Sequence, residues 1–208
     1  YRMLFGHTEE IQSCDFSHDA ENKYIITASW DNKVILWDAA DNIKIEILDP
    51  KVENPKQADL EDARFSYDGQ IVAACNDGNI YLWNLQEVLS GNIKAQAISM
   101  PHKNIRRLFF SNDNKYLICC GSEGRFSVWD WQGKNFKKPL SMVTHAKNTK
   151  VKSDLRVYNA SLSADGKTII STGFDGSLKQ WKFKNGKVSG GTEIGRHGSE
   201  IWWSQFSA

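Results

Sequence analysis

Four stretches of the sequence decide its reading: TASWDNKVILWD at 27–38, AACNDGNIYLWN at 73–84, CCGSEGRFSVWD at 119–130 and STGFDGSLKQWK at 171–182. Their tryptophans, Trp37, Trp83, Trp129 and Trp181, are spaced by 46, 46 and 52 residues. An acidic residue stands six positions before each: Asp31, Asp77, Glu123 and Asp175. A second marker lies upstream. Phe16-Ser17, Phe65-Ser66, Phe110-Ser111 and Leu162-Ser163 precede those tryptophans by 21, 18, 19 and 19 residues, and a fifth copy, Phe206-Ser207, has no tryptophan after it. Two markers in register over four repeats make internal repetition the first property of this chain.

Each repeat reads as short strands. An alternating run leads to the first marker, a turn such as Tyr67-Asp68-Gly69 or Ala164-Asp165-Gly166 follows, and then comes an apolar run such as Tyr24–Ala28. A tight Asp-Gly or Asp-Asn turn leads into another alternating run that ends in the tryptophan, and a further strand follows, as at Ile43–Leu48. Period-2 runs punctuated by turn residues are antiparallel strands. Helical periodicity is nowhere sustained; Leu85–Leu89 reads as one short turn at most. Four strands in about 46 residues is the unit of a β-propeller blade.

The composition belongs to a folded chain, 40% hydrophobic and 12% aromatic with eight tryptophans. Lys and Arg number 26 against 25 acids, a net charge of +1, so no global field draws the chain to nucleic acid or a membrane surface. No apolar run is long enough for a membrane helix. Cys14, Cys75, Cys119 and Cys120 have no zinc or CxxC spacing, so they read as buried small hydrophobes. No metal, cofactor or catalytic residue is expected. Free thiols point to a reducing, intracellular setting, cytoplasm ahead of nucleus.

These repeats resemble the WD-repeat family, with Gly6-His7 and Trp37-Asp38 bounding the first and Trp129-Asp130 closing the third. The resemblance covers the whole chain. It implies an all-β propeller: four four-stranded blades plus the start of a fifth, within a larger ring of about seven. The repeats fall at 6–52, 53–100, 101–144 and 145–194, with the next opening at 195–208. Gly195–Ile201 copies Gly6–Ile11, and Tyr1–Phe5 reads as the outer strand preceding a blade, so the sequence predicts an excerpt of a longer protein.

The resemblance also implies a hydrogen-bonded chain of histidine, Ser/Thr, aspartate and tryptophan inside a blade. The first repeat supplies His7, Thr27, Asp31 and Trp37. The fourth supplies Ser171, Asp175 and Trp181, with His145 a poor candidate because an insertion separates it from them. The second has Ala73 and the third Cys119 and Glu123, so those blades are expected to rely on packing. Recurrence in successive blades makes these His/Ser/Asp sets structural rather than catalytic.

Function then falls to side chains at one end of the strands, which the resemblance makes the usual contact surface. Those positions are Glu10, Gln12 and Trp30; Asp59, Glu61 and Asn76; Asn104, Arg106 and Ser122; Arg156, Tyr158 and Phe174; and Glu200 and Trp202. Aromatics and arginines dominate interface energetics, so Trp30, Arg106, Arg156, Tyr158, Phe174 and Trp202, with the acids Glu10 and Glu61, are the expected partner-binding set. The expected function is a non-catalytic scaffold or sensor module holding a peptide or protein within a larger complex or longer chain. The alternative is a nucleic-acid-associated subunit, RNA or chromatin, acting through the basic stretch HAKNTKVKSD at 145–154.

Overall fold

The computed structural model describes residues 3–41, 43–50, 59–75, 78–100, 105–132, 136–145 and 156–206. The chain divides into two compact units, Tyr1–Pro101 and His102–Ala208. Each holds two four-stranded antiparallel sheets, the four blades the repeats predict.

In the first unit, β1 (Ile11–Phe16), β2 (Tyr24–Ser29), β3 (Val34–Asp38) and β4 (Lys44–Leu48) form one sheet in chain order. A second sheet follows with β5 (Leu60–Phe65), β6 (Gln70–Cys75), β7 (Asn79–Asn84) and β8 (Gln96–Ser99). Between β7 and β8 lies the one-turn α1 (Leu85–Leu89), capped by Asn84, whose side chain accepts from Gln86 N and Glu87 N. The second unit holds β9 (Ile105–Phe110) to β12 (Ser141–Thr144), with β10 (Tyr116–Gly121) and β11 (Arg125–Asp130) between them. Its last sheet is β13 (Val157–Leu162), β14 (Thr168–Gly173), β15 (Ser177–Lys184) and β16 (Lys187–Arg196).

The Phe-Ser marker has a local physical cause. The phenylalanine or leucine ends the inner strand, and the serine closes the turn after it. Ser111 Oγ donates to Asp113 (2.7 Å) and Ser163 Oγ to Asp165 (2.6 Å); Ser17 and Ser66 do the same to Asp19 and Asp68. Each hydroxyl also accepts a backbone N–H from the start of the next strand, Tyr24, Gln70, Tyr116 or Thr168. At the second turn, Asn32, Gly78, Gly124 and Gly176 all take a left-handed conformation, φ +67° to +87°, which only Gly and Asn adopt at little cost.

A single sheet has two apolar faces and must cover both. Within the first unit, Ile26, Ala28, Val34 and Leu36 of the first sheet pack against Leu60, Ala63, Phe65, Ile71 and Trp83 of the second. Within the second unit, Ile118, Cys120, Phe126 and Val128 meet Val157, Ala160, Leu162, Ile169 and Trp181 in the same way. Phe126 and Trp181 stand edge-to-face at 5.6 Å.

Polar contacts set the register of this packing. Ser13 Oγ accepts from Ala63 N (2.9 Å) and the Asp15 carboxylate from Phe65 N (3.0 Å). Arg64 bridges the two sheets, its Nε 3.1 Å from Asp62 and its Nη1 3.8 Å from Asp15. In the second unit, Asn159 donates to the Ser204 carbonyl, and Ser161 Oγ lies 3.4 Å from the same oxygen. Ser13 and Asn159 both stand three residues before a marker, and Ala63 and Ser204 both stand two before one. Residues 201–206 therefore run along β13 in the register that an inner strand of a further sheet takes.

Two expectations change. Met3–Phe5 carry no strand, since no third strand of a preceding sheet stands beside them among the described residues; Tyr1 and Arg2 lie outside those residues. β16 runs to Arg196, past the expected repeat boundary, because its ladder with β15 extends to the pair Ser177–Arg196.

The two marker phenylalanines of the first unit differ in burial. Phe16 is 52% exposed, whereas its counterpart Phe65 is 2% exposed. Phe65→Ala is therefore expected to cost about 3–5 kcal/mol, and Phe16→Ala less than about 0.5 kcal/mol, in the 1–208 chain. Urea unfolding of both variants measures this; equal losses would contradict the packing described.

Candidate interaction site

The polar chain in the first sheet is built as the sequence predicts. Trp37 Nε1 donates to Thr27 Oγ1 (2.9 Å), Thr27 Oγ1 lies 2.7 Å from His7 Nε2, and His7 Nδ1 lies 2.9 Å from Asp31. Because Trp37 can only donate, the threonine proton is free to point at His7 Nε2. That leaves the His7 proton on Nδ1, facing Asp31. Burial pushes the Asp31 carboxyl up, but the Thr8 amide and the His7 ring outweigh it and hold it below its usual value.

His145 enters the corresponding chain in the fourth sheet despite the insertion after it. Trp181 Nε1 donates to Ser171 Oγ (2.7 Å), Ser171 Oγ meets His145 Nδ1 at 2.6 Å, and His145 Nε2 faces Ser177 Oγ (3.1 Å) and Asp175 (3.3 Å). β12 ends at Thr144 and delivers the ring, while the insertion follows it. Gly173 makes room: a Cβ there would lie 3.4 Å from the ring and 2.5 Å from the Arg156 carbonyl. Ser171 is fully buried, with its hydroxyl occupied from both sides, so this serine and histidine offer a substrate no approach. In the second and third sheets the indoles find other acceptors, Ile93 O for Trp83 (3.0 Å) and Ser127 Oγ for Trp129 (2.6 Å).

The expected contact residues share a backbone feature that sequence reasoning did not see. Every inner strand carries a β-bulge at one place, so Gln12, Glu61, Arg106 and Tyr158 fall at the shift in register with the neighbouring strand. A bulge leaves one residue out of the ladder and re-aims its side chain.

The environments of these residues differ. In the first unit Glu10 is exposed, Trp30 is 38% exposed with its amide bonded to the Glu10 carbonyl, and Glu61 is only 3% exposed. In the second unit Arg106 and Ser122 are half-buried. Asn76 and Asn104 lie outside the described residues, as do Lys147, Lys150 and Lys152 of the basic stretch.

The residues that the structure draws together are in the fourth sheet. Tyr158, 4% exposed, stacks on Trp202 with centroids 4.4 Å apart and planes at 13°. Phe174 lies 6.5 Å from Tyr158, and the Arg156 guanidinium sits 5.4 Å from the Phe174 centroid. Arg156 Nη1 also reaches Tyr158 Oη at 3.4 Å. Trp202 remains 60% exposed, while the Tyr158 ring beneath it is buried. The 201–206 segment holds that indole through Ile201 N on the Gly173 carbonyl and through the Asn159–Ser204 bond.

Among the described residues no group of three or more His, Cys, Asp or Glu side chains could hold a metal ion. Among them, too, no helix is long and apolar enough to cross a membrane.

Burial holds the His145 imidazole at about 4, below its ordinary 6.5, against the opposing pull of Asp175. Between those values the unfolded chain binds a proton that the folded chain refuses. The stabilisation is complete above pH 6.5 and is lost as pH falls toward 4, by about 3 kcal/mol in all. Urea unfolding of wild type and His145→Gln from pH 7.5 to 4 should show their stability difference shrinking through this window. Parallel curves would rule out a neutral buried ring.

The sequence pattern of the family described as "WD domain, G-beta repeat" matches residues 1–38, 55–84, 95–130 and 144–182. The rice protein (Oryza sativa subsp. japonica) named "Small ribosomal subunit protein RACK1y" is 29% identical over 179 residues, 85% of this chain and 49% of its own length. The Drosophila melanogaster "Small ribosomal subunit protein RACK1" is 22% identical over 178 residues, 85% of this chain and 52% of its own. The chain thus spans about half the length of the curated relatives it matches.

Proposed function

The chain belongs to the WD40 family of repeats, and on that footing we propose that it is a non-catalytic interaction module that holds a peptide or protein segment at the bulged ends of its inner strands. The observation that carries this reading is the Arg156–Phe174–Tyr158–Trp202 group. A buried platform supports an exposed indole beside a half-buried guanidinium, and these are the side chains and the arrangement that concentrate interface energy. Trp30 in the first unit is a second, separate contact point.

The relatives' names, which make them small ribosomal subunit proteins, support a place for this chain in a multi-subunit assembly, and its free cysteines support an intracellular setting, cytoplasm ahead of nucleus. The second reading, nucleic-acid contact through 145–154, rests on the lysines of that stretch alone.

Both are tested on the full-length protein in its native cells, as wild type, Trp202→Ala, Arg156→Glu and a variant with Lys147, Lys150 and Lys152 changed to Gln. Bound proteins are quantified by mass spectrometry and bound nucleic acid by sequencing. A specific protein should fall about tenfold or more in the first two variants, at unchanged melting temperature. Unchanged capture there, with nucleic acid lost from the lysine variant in a salt-dependent way, would replace this reading with the second.

A further inference from the structure

Resting on that reading, we propose that Arg156 is an anion subsite: it takes one carboxylate- or phosphate-bearing side chain of the docked peptide, while an apolar side chain of the same peptide lies on the open face of Trp202.

Charge pairing in the fourth sheet leads to this assignment. Asp175 is engaged by His145, by the Ser177 amide and hydroxyl, and by Lys179 at 3.9 Å. Glu193 is held by the fork of Arg196, with Nε and Nη2 both at 2.8 Å from its oxygens. The third Arg196 nitrogen, Nη1, donates to the Asp175 carbonyl at 2.7 Å. Lys179 and Arg196 are therefore matched by acids. Arg156 is the guanidinium of this sheet with no carboxylate in ion-pair range among the described residues, and Glu200, the acid two residues before Trp202, makes no ion pair with it.

What holds Arg156 is an aromatic ring and a phenol. Its plane is set by Phe174 and Tyr158, and its backbone is set by the 2.9 Å bond from Phe174 N to its carbonyl. Half-buried, and with no carboxylate in range among the described residues, this guanidinium has lost hydration without gaining a charge partner there. An incoming anion restores the balance, and the guanidinium fork suits carboxylate and phosphate because both accept two parallel N–H bonds. One unmatched cation fits one isolated anion. A nucleic-acid backbone needs several phosphates neutralised at once, and Arg156 offers a single charge. Trp202 completes the subsite, since one face of its indole rests on Tyr158 and the residue is mostly exposed.

The test passes a randomised capped-heptapeptide library, one pool with Asp and Glu and one with phosphoserine in their place, over full-length wild type, Arg156→Gln and Trp202→Ala. Wild type should enrich an acidic or phosphorylated position next to an apolar one by about tenfold or more. The comparison of pools tells which anion is preferred. Arg156→Gln should lose the anionic preference while keeping the apolar one, and Trp202→Ala should lose the apolar preference. Enrichment that needs Trp202 but shows no anionic preference, or one that survives Arg156→Gln, overturns the anion subsite and leaves the interaction module standing. Absence of peptide enrichment, or capture of a single-stranded oligonucleotide that is lost in Arg156→Gln, overturns both.

Discussion

Sheet-on-sheet burial is the constraint from which the remaining features follow. A four-stranded antiparallel blade of about 46 residues presents two faces of Ile, Val, Leu and Trp, and no part of the blade can fold back over them. Inside each unit the solution is the same: one sheet lends an aliphatic face, and the next sets its marker phenylalanine or leucine and its tryptophan against it. Backbone N–H groups of the incoming inner strand find acceptors on the strand already in place, as Ala63 and Phe65 do on Ser13 and Asp15. Burial supplies the driving force, and these polar contacts fix the register, because a slip of one residue would turn every buried side chain outward.

Driving a tryptophan into that interface creates a second demand. The indole N–H is buried with it and must find an acceptor. The first and fourth sheets meet the demand with a hydroxyl, and then orient the hydroxyl with a histidine and an aspartate. The third uses Ser127, two residues from its own tryptophan, and the second uses the backbone at Ile93. What recurs across the chain is the satisfied indole rather than the tetrad. The His145 ring shows the cost of the fuller arrangement, since burial sufficient to order the network also keeps the ring neutral.

The periodic part of this structure was legible in the sequence because it repeats: strand positions and turns follow from spacing, and the tryptophan acceptor in the first sheet from the family resemblance. The rest depended on contacts that spacing does not encode. His145 looked displaced by an insertion, yet the insertion follows it and leaves the ring in place. Tyr158 read as a partner-contact aromatic, but it is buried with Trp202 stacked on it. Glu61 read as an exposed acid and is enclosed. The positions on the inner strands were singled out as a set by the family resemblance, while the bulge they share left no residue signature, since Gln12, Glu61, Arg106 and Tyr158 have no chemistry in common.

That lack of common chemistry bears on how such a chain acquires function. At the bulge a residue leaves the regular register, so its side chain is held less by strand pairing than by what packs at that end of the strand, as Tyr158 is by Trp202. Positions one and three residues further along are held by the interface they face. Stability and recognition are thus separated along a single strand: Val157 and Asn159 belong to the sheet, and Tyr158 between them belongs to the surface group. The Tyr158–Trp202 stack adds one condition, because the exposed indole sits on a segment held to β13 by Asn159 and to β14 through the Gly173 carbonyl. On the proposed reading, recognition at this place depends on the 201–206 segment, and a change that loosened it would remove Trp202 while leaving Arg156 and Phe174 where they are.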